Sequence, residues 1–194
     1  MEGWTDYLDT IAAGLRDIVV TDRAGAPLPL ADGVARWVAM TRDVADRDGQ
    51  LFVIGNGGSA GMASHMAADA CKNGHLRAMA LTDAALMTAT SNDLAFDQVF
   101  SLPLERLGRR GDLVTAISSS GNSPNIVRAL ETARSNGLHA VTLSGMRDDN
   151  RARSLGDLNF YVPLARYGWT ESAHQILMHY WFDQYLCLHR QGAL

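Results

Sequence analysis

The feature that most constrains the fold is a regular alternation of short apolar segments with helix-forming segments, which begins near residue 50. Apolar and β-branched runs such as LFVIG, DLVTAIS and HAVTLSG are separated by stretches with helical periodicity. This alternation is typical of a parallel sheet whose crossover helices cover both faces. The chain is therefore predicted to be an α/β protein, a three-layer αβα sandwich built around a mostly parallel sheet.

The segment before this alternation, residues 1–48, is predicted to be helical. Apolar residues recur at helical spacing from Leu8 and, after the breaker AGAPLPLADG, again from Val34, so two helices are expected before the first strand. A chain of 194 residues with 47% hydrophobic residues is long enough for one buried core,. We therefore expect a single domain over residues 1–194, in which residues 49–194 form the α/β core and a closing helix.

The closing helix is predicted from Thr170 to about His189. Thr170 is a favourable N-cap residue, and Glu171 would place a negative charge in the first turn,. Apolar residues surround much of the circumference of this helix, which indicates burial on more than one side. Packing against another subunit would explain that pattern, so a homo-oligomer is expected.

Charge and hydropathy exclude several classes of protein. A formal net charge of -4 does not indicate a surface for nucleic acids or anionic membranes. No apolar stretch approaches the roughly 18 to 20 residues that cross a bilayer, and the start MEGWTDYLDT lacks the features of a signal peptide,. Cys71 and Cys187 form no closely spaced pair and are predicted to be reduced thiols,. We expect a cytoplasmic protein.

A glycine-rich turn at residues 55–59, GNGGS, directly follows the first core strand and precedes a helix. Glycines allow a sharp turn and a close approach of the backbone to a ligand, and the free N–H groups at a helix start attract anions. Turns of this composition are common, so a structural role and a ligand-binding role both remain open.

A serine-rich loop at residues 118–123, SSSGNS, lies between a strand and a helix whose first residue is Pro124. Ser123 is the predicted N-cap, since proline at the first helical position costs no hydrogen bond. Capping would require one serine, whereas this loop contains four. Their hydroxyl groups, together with the helix N-terminus, favour a phosphate-binding site. Both loops follow the carboxyl ends of strands, where ligands bind in open α/β sheets.

The motifs GNGGSA, SND at residues 91–93 and SSSGNS, in this order, resemble the SIS fold and specifically its phosphoheptose isomerase branch. The resemblance runs over most of the chain and implies a homotetramer. It also implies an isomerase that converts sedoheptulose 7-phosphate to D-glycero-D-manno-heptose 7-phosphate through an enediolate. The substrate would be a phosphorylated sugar. The predicted substrate-binding residues are Asn56, Gly57, Gly58, Ser59, Asp93, Ser118, Ser119, Ser120, Ser123 and Glu171.

His65 and Asp69 are spaced i, i+4 and are predicted to share one helix face,. From the residues alone, a metal site and an ordinary helix surface both remain open. The resemblance implies zinc, or another divalent metal, at four positions: His65, Asp69, Glu171 and His179. Where the family has Glu and Gln, this chain has Asp69 and Glu171, and the set still offers nitrogen and oxygen ligands. Glu171 precedes His179 by eight residues, roughly 12 Å along a helix, near the limit for sharing one ion.

Aldose–ketose interconversion requires a base near two adjacent carbons and a group that exchanges protons with their oxygens. We predict His179 and either Asp69 or Glu171 as the catalytic acid–base pair. Two alternatives remain at this stage. A non-catalytic SIS regulator would bind a phosphosugar or another protein, and an isomerase for a different ketose phosphate would share both loops.

Overall fold

A seven-stranded sheet forms the centre of the structure, a computed structural model that describes residues 3–191 and side-chain packing through residue 188. The strands are β1 (Val19–Asp22), β2 (Pro27–Leu28), β3 (Gln50–Gly55), β4 (Arg77–Ala80), β5 (Leu113–Ser118), β6 (His139–Gly145) and β7 (Leu158–Val162). Their spatial order is β2-β1-β7-β6-β5-β3-β4. The five strands from β7 to β4 are parallel, whereas β1 and β2 are antiparallel to their neighbours. The predicted mostly parallel sheet is confirmed.

Helices cover both faces of this sheet. They are α1 (Trp4–Arg16), α2 (Leu30–Asp46), α3 (Gly58–Lys72), α4 (Ala84–Asp93), α5 (Ser101–Leu107), α6 (Pro124–Ser135) and α7 (Tyr167–Gln191). Side chains alternate along β3: Leu51 and Val53 join a core with α2, α3 and α7, whereas Phe52 and Ile54 join a core with α5 and α6. Two cores on opposite faces of one sheet make the three-layer sandwich that the sequence predicts.

The two helices predicted before LFVIG are present as α1 and α2, but a strand pair, β1 and β2, that was not predicted lies between them. Residues 19–22 form β1, which pairs with β7 in the register Val20↔Phe160. Val20 is 2% exposed and packs in the main core. Helical spacing continues through this β-branched segment in the sequence, but pairing with β7, about 140 positions later in the chain, determines its conformation,.

Two further differences concern helices. The segment between β4 and β5, for which no helix was predicted, contains α4 and α5. Helix α7 begins at Tyr167, three residues before the predicted N-cap Thr170. The Thr170 hydroxyl instead donates to the carbonyl of Leu164 at 3.0 Å, within a buried environment. None of the helices in residues 3–191 has the length and apolar character needed to span a bilayer.

The connection order positions the two predicted ligand loops side by side. From β3 the chain crosses to β4 on one side, and it later returns to β5 on the other side of β3. The loops after β3 and β5 therefore diverge at the same edge of the sheet and leave a crevice between them. This is the topological switch point at which open α/β sheets bind ligands.

Helix α7 is anchored to α2 by stacked indoles. The Trp37 and Trp181 rings lie 4.5 Å apart between centroids with an interplanar angle of 9°, and both side chains are fully buried. The indole N–H of Trp181 donates to the Thr41 hydroxyl at 3.2 Å, and that hydroxyl donates to the Trp37 carbonyl at 2.9 Å. A buried donor on α7 is thereby satisfied by α2.

Replacing Thr41 with Val is expected to lower the free energy of unfolding by about 1–3 kcal/mol, because the Trp181 N–H would stay buried without an acceptor. Urea unfolding measures the change. Thr10→Val is the matched control, since the Thr10 hydroxyl also donates to the carbonyl four residues earlier but lies near the surface. Its effect should stay within about 0.5 kcal/mol. Equal losses in the two variants would mean that the Trp181 bond contributes nothing.

Candidate active site

The two predicted loops meet in a small pocket at the switch point of the sheet. Its volume is about 110 Å³. The pocket is lined by Asn56, Ser59, Ile117, Ser118, Ser119, Ser120, Ser123, Tyr167 and Glu171. Seven of the ten predicted substrate-binding residues therefore lie together, and Tyr167, at the first position of α7, is an addition that no sequence signal indicated.

The serine loop presents hydroxyl groups that the fold does not use. Ser119 is 5% exposed, and its Oγ has no hydrogen-bond partner. Ser123 is the N-cap of α6, as predicted, with Pro124 in the first turn, but its side chain makes no capping bond. A buried hydroxyl without a partner costs free energy, so the Ser119 hydroxyl is available to a ligand that binds beside the helix N-terminus,.

An amide pair fixes the glycine loop to the serine loop. The side chains of Asn56 and Asn125 exchange two hydrogen bonds, of 2.9 and 2.8 Å. Asn125 is 1% exposed, and its Oδ1 also accepts from the backbone N–H of Ile126 at 3.0 Å. The predicted substrate residue Asn56 is thereby held in one orientation by a partner that the sequence analysis missed. A polar residue in a helix first turn carries no signal for such a long-range contact.

Glu171 lies against the start of α3. A Cβ atom at Gly58 would come within 2.7 Å of Glu171 Oε2, so the carboxylate packs directly on the glycine. Gly57, with φ +53, makes the turn into the helix in a conformation that glycine adopts without strain,. The two predicted glycines thus have different tasks: Gly57 turns the chain, and Gly58 leaves room for the carboxylate.

Helices α3 and α7 run side by side in the same direction from this point. Glu171 contacts Gly58 at the start of both helices, Gln175 Nε2 lies 3.7 Å from Met66 Sδ, and the Phe182 ring lies against Gly74 near the end of α3. Contacts therefore advance along both helices together. The line of contact between them is here called the α3–α7 seam.

Three of the four predicted metal positions meet on this seam. Ligand atoms of His65, Asp69 and His179 all lie within 4.8 Å of one another. His65 Nε2 is 3.4 Å from Asp69 Oδ2, and the rings of His65 and His179 are 5.4 Å apart between centroids. Two imidazoles and one carboxylate suit zinc and leave further coordination positions open, as in catalytic zinc sites. Glu171 is not part of this group.

Asp93 is not brought to the pocket. It is the last residue of α4 and is exposed, and its carboxylate accepts a bond of 2.8 Å from the Asn92 amide.

His174, another polar residue of α7, is fully buried between this helix and β6. Its Nε2 lies 3.1 Å from the Ser144 carbonyl, which makes this nitrogen the donor, while Nδ1 has no partner,. Burial lowers the pKa of this imidazole to about 4, against a smaller upward effect of the bond to Ser144. The side chain is therefore neutral near pH 7 and supports the packing behind the serine loop.

Residues 7–145 match the SIS domain family. Over 191 residues, the chain is 34% identical to a phosphoheptose isomerase of Azoarcus sp., which covers 94% of this chain and 96% of that protein. Over 141 residues it is 41% identical to a phosphoheptose isomerase of Chlorobaculum parvum, covering 69% and 67%. The structure of phosphoheptose isomerase from Neisseria gonorrhoeae superposes with a TM-score of 0.80 at 30% identity and covers 94% of each chain.

Acid should destabilise this protein through His174. The folded-state pKa of about 4 lies below the unfolded value of about 6.5,. The unfolded state therefore binds the proton first, and stability is lost as the pH falls from 6.5 toward 4. The loss should reach roughly 2 kcal/mol between pH 7.5 and 5.

Urea unfolding at both pH values tests this prediction. His174→Gln, which cannot bind a proton there, should reduce the acid-dependent loss by about that amount. His139→Gln, at an exposed position, is the control for loss of a histidine and should retain the loss. A wild-type acid dependence that persists in His174→Gln would contradict the assignment.

Proposed function

This chain belongs to the SIS domain family, among its phosphoheptose isomerases, and on that premise we propose that it interconverts sedoheptulose 7-phosphate and D-glycero-D-manno-heptose 7-phosphate. The observation that carries the proposal is the arrangement of two sites along one seam. The unpartnered Ser119 hydroxyl and its neighbouring serines lie at its start, and the group of His65, Asp69 and His179 lies further along. The first suits a phosphate, and the second suits proton transfer.

The phosphate end is the serine pocket. With a volume of about 110 Å³, the pocket is smaller than cavities that enclose a whole ligand, which are typically about 300–1,000 Å³. It fits the phosphate group, held by Ser118, Ser119, Ser120 and Ser123 and by the N-terminus of α6. Asn56 and Ser59 then lie next to it, where the sugar hydroxyls begin.

The sugar chain is proposed to lie along the seam. Glu171 lines the phosphate pocket, and His179 follows it by eight residues, about 12 Å along α7,. A ketose phosphate in extended form, with its phosphate at the distal carbon, has its reacting carbons at the far end of the molecule. A long sugar can therefore reach from the serine pocket to the His–Asp–His group.

Asp69 is the proposed base. In the ketose-to-aldose direction it takes a proton from C1, which leaves an enediolate, and returns that proton to C2. His179 transfers a proton between the oxygens on C2 and C1, so that the C2 carbonyl becomes a hydroxyl and C1 becomes the aldehyde. Atoms and charge balance without a co-reactant.

His65, Asp69 and His179 would hold a divalent ion such as zinc, which, when bound, supplies Lewis-acid polarisation of the substrate oxygens. The donor set fits this role because it combines two imidazoles with a carboxylate,. A carboxylate has two oxygens and an imidazole has two nitrogens, so binding through one atom leaves the other available for protons. His65 has no proposed proton-transfer role.

Glu171 is proposed to act on substrate position, although the sequence offered it as an alternative base and fourth metal ligand. Its carboxylate lies on Gly58 beside the phosphate pocket and outside the His–Asp–His group. A negative charge at this point disfavours a phosphate dianion. Release of the phosphorylated sugar, rather than the proton transfer, is the step that it would influence.

We further propose a homotetramer located in the cytoplasm. Ile176, Tyr180 and Leu188 are spaced four and eight residues apart on α7 and are between 44% and 50% exposed. An apolar row of this kind is typical of a surface that a second subunit covers. Cys71 and Cys187 are free thiols, which suits a reducing compartment.

Asp69→Asn should lower kcat for sedoheptulose 7-phosphate by about 10²–10⁴-fold, the usual contribution of a positioned base. Glu171→Gln should keep kcat within about threefold and lower KM about two- to fivefold, because a charge next to the phosphate is removed. NMR of the sugar product follows the reaction. Glu105→Gln, which removes an exposed carboxylate from α5, is the control. If Glu171→Gln abolishes turnover and Asp69→Asn does not, the base is Glu171.

Dialysed wild-type protein should bind one zinc ion per chain, and His65→Ala should lose it, as measured by elemental analysis. Glu171→Gln should retain the metal because Glu171 lies outside the group. His139→Ala controls for non-specific binding to histidine. Loss of zinc in Glu171→Gln would mean that Glu171 is a fourth metal ligand. Absence of zinc in the wild type would mean that the reaction does not use this metal.

A further inference from the structure

A second and larger cavity lies at the opposite edge of the sheet from the serine pocket. Its volume is about 320 Å³. Gln50, the first residue of β3, and Arg77, the first residue of β4, line it. The six residues of β3 extend about 20 Å from here to the glycine loop,. The cavity is therefore separate from the proposed isomerase site.

Four arginines line this cavity: Arg47, Arg77, Arg109 and Arg110. Its carboxylates are only two, Asp48 and Asp112. The formal net charge of the chain is -4, so a concentration of arginines in one cavity is specific to this place on the surface. Guanidinium groups are the side chains best suited to bidentate recognition of phosphate oxygens.

Two of these arginines are already paired. Arg47 donates to Asp43 Oδ2 at 2.7 Å and to the Gly111 carbonyl at 2.9 Å. Arg77 donates to Asp48 Oδ2 at 3.1 Å and to the Asp48 carbonyl at 3.0 Å. These contacts hold both guanidinium groups in place at the cavity wall and balance their charges.

Arg109 and Arg110 are not paired in this way. Within residues 3–191, neither guanidinium group makes a hydrogen bond or an ion pair with the rest of the chain. Asp112, the buried carboxylate of the cavity wall, is 4% exposed and accepts from the backbone N–H groups of Arg109 at 2.7 Å and Gln50 at 2.8 Å rather than pairing with a guanidinium group. The backbone that carries these arginines is fixed, while their charges remain available.

The cavity also has an apolar part. Phe52 is fully buried at its base, and Met79 and Leu107 lie at its margin with 41% and 51% of their surface exposed. Exposed apolar side chains next to unpaired guanidinium groups suit a ligand that combines an apolar portion with an anionic portion.

We propose that this cavity binds a nucleoside diphosphate, with its phosphates at Arg109 and Arg110 and its base against Met79 and Leu107. Guanidinium groups that are free in the unliganded chain bind the two adjacent phosphates. The volume of about 320 Å³ lies at the lower end of the range for small-molecule sites,.

Calorimetric titration of the full-length protein with ADP, at physiological ionic strength, tests the proposal. Wild-type protein should bind ADP saturably, and at least tenfold more tightly than adenosine. Arg109→Ser/Arg110→Ser should weaken ADP binding at least tenfold. Since neither side chain bonds to the fold, this variant should unfold at the wild-type temperature.

Arg36→Ser/Arg106→Ser is the matched control, because it removes the same charge from exposed positions outside the cavity. It should keep ADP affinity within twofold, and so should Ser119→Ala in the serine pocket. Three results would overturn the proposal: no saturable binding of ADP at millimolar concentration, equal weakening in both double variants, or loss of binding in Ser119→Ala, which would place the nucleotide in the serine pocket.

Discussion

The parallel packing of α7 along α3 is the contact on which the site depends. Neither helix carries the whole set of proposed functional groups, since α3 provides His65 and Asp69 and α7 provides Glu171 and His179. Their relative position is set at two places. The bare Cα of Gly58 lets Glu171 approach the start of α3, and the buried indoles of Trp37 and Trp181 hold α7 against α2. Both contacts are closely packed, so a small shift would be resisted by the core.

The two ends of the α3–α7 seam differ in how far their polar groups are paired with the rest of the fold. At the sheet edge, the Asn56–Asn125 pair satisfies its own hydrogen bonds and fixes the loops, while Ser119 Oγ stays buried without a partner. The serine pocket is therefore already ordered before a ligand binds, and preorganised sites gain affinity because the ligand does not have to order them. Along the seam, the His–Asp–His group remains partly open to solvent, where a substrate carbon can approach it.

Local signals predicted most of the elements around the site. Helix α6 begins at Pro124 as expected, because proline marks its start, and HAVTLSG forms β6. Prediction failed where a distant partner decides the conformation. Strand β1 forms by pairing with β7. Thr170 matches an N-cap in the sequence, but its hydroxyl donates to the Leu164 carbonyl instead. The separation of Glu171 from the other three metal positions follows from the rise of α7. The hydrogen bonds between Asn56 and Asn125 join residues 69 positions apart, and no local sequence pattern predicts them.

The antiparallel hairpin of β1 and β2 covers one edge of the sheet and so affects how readily the chain pairs with other molecules. Without it, β7 would be the terminal strand, and its five buried residues, Leu158–Val162, would present unpaired backbone groups at a long apolar edge. Such edges recruit strands from other molecules. The hairpin replaces this edge with β2, which is only two residues long and contains Pro27, and short strands with proline are poor templates for pairing. Residues 19–28 therefore shield the edge of β7 from pairing with other molecules,.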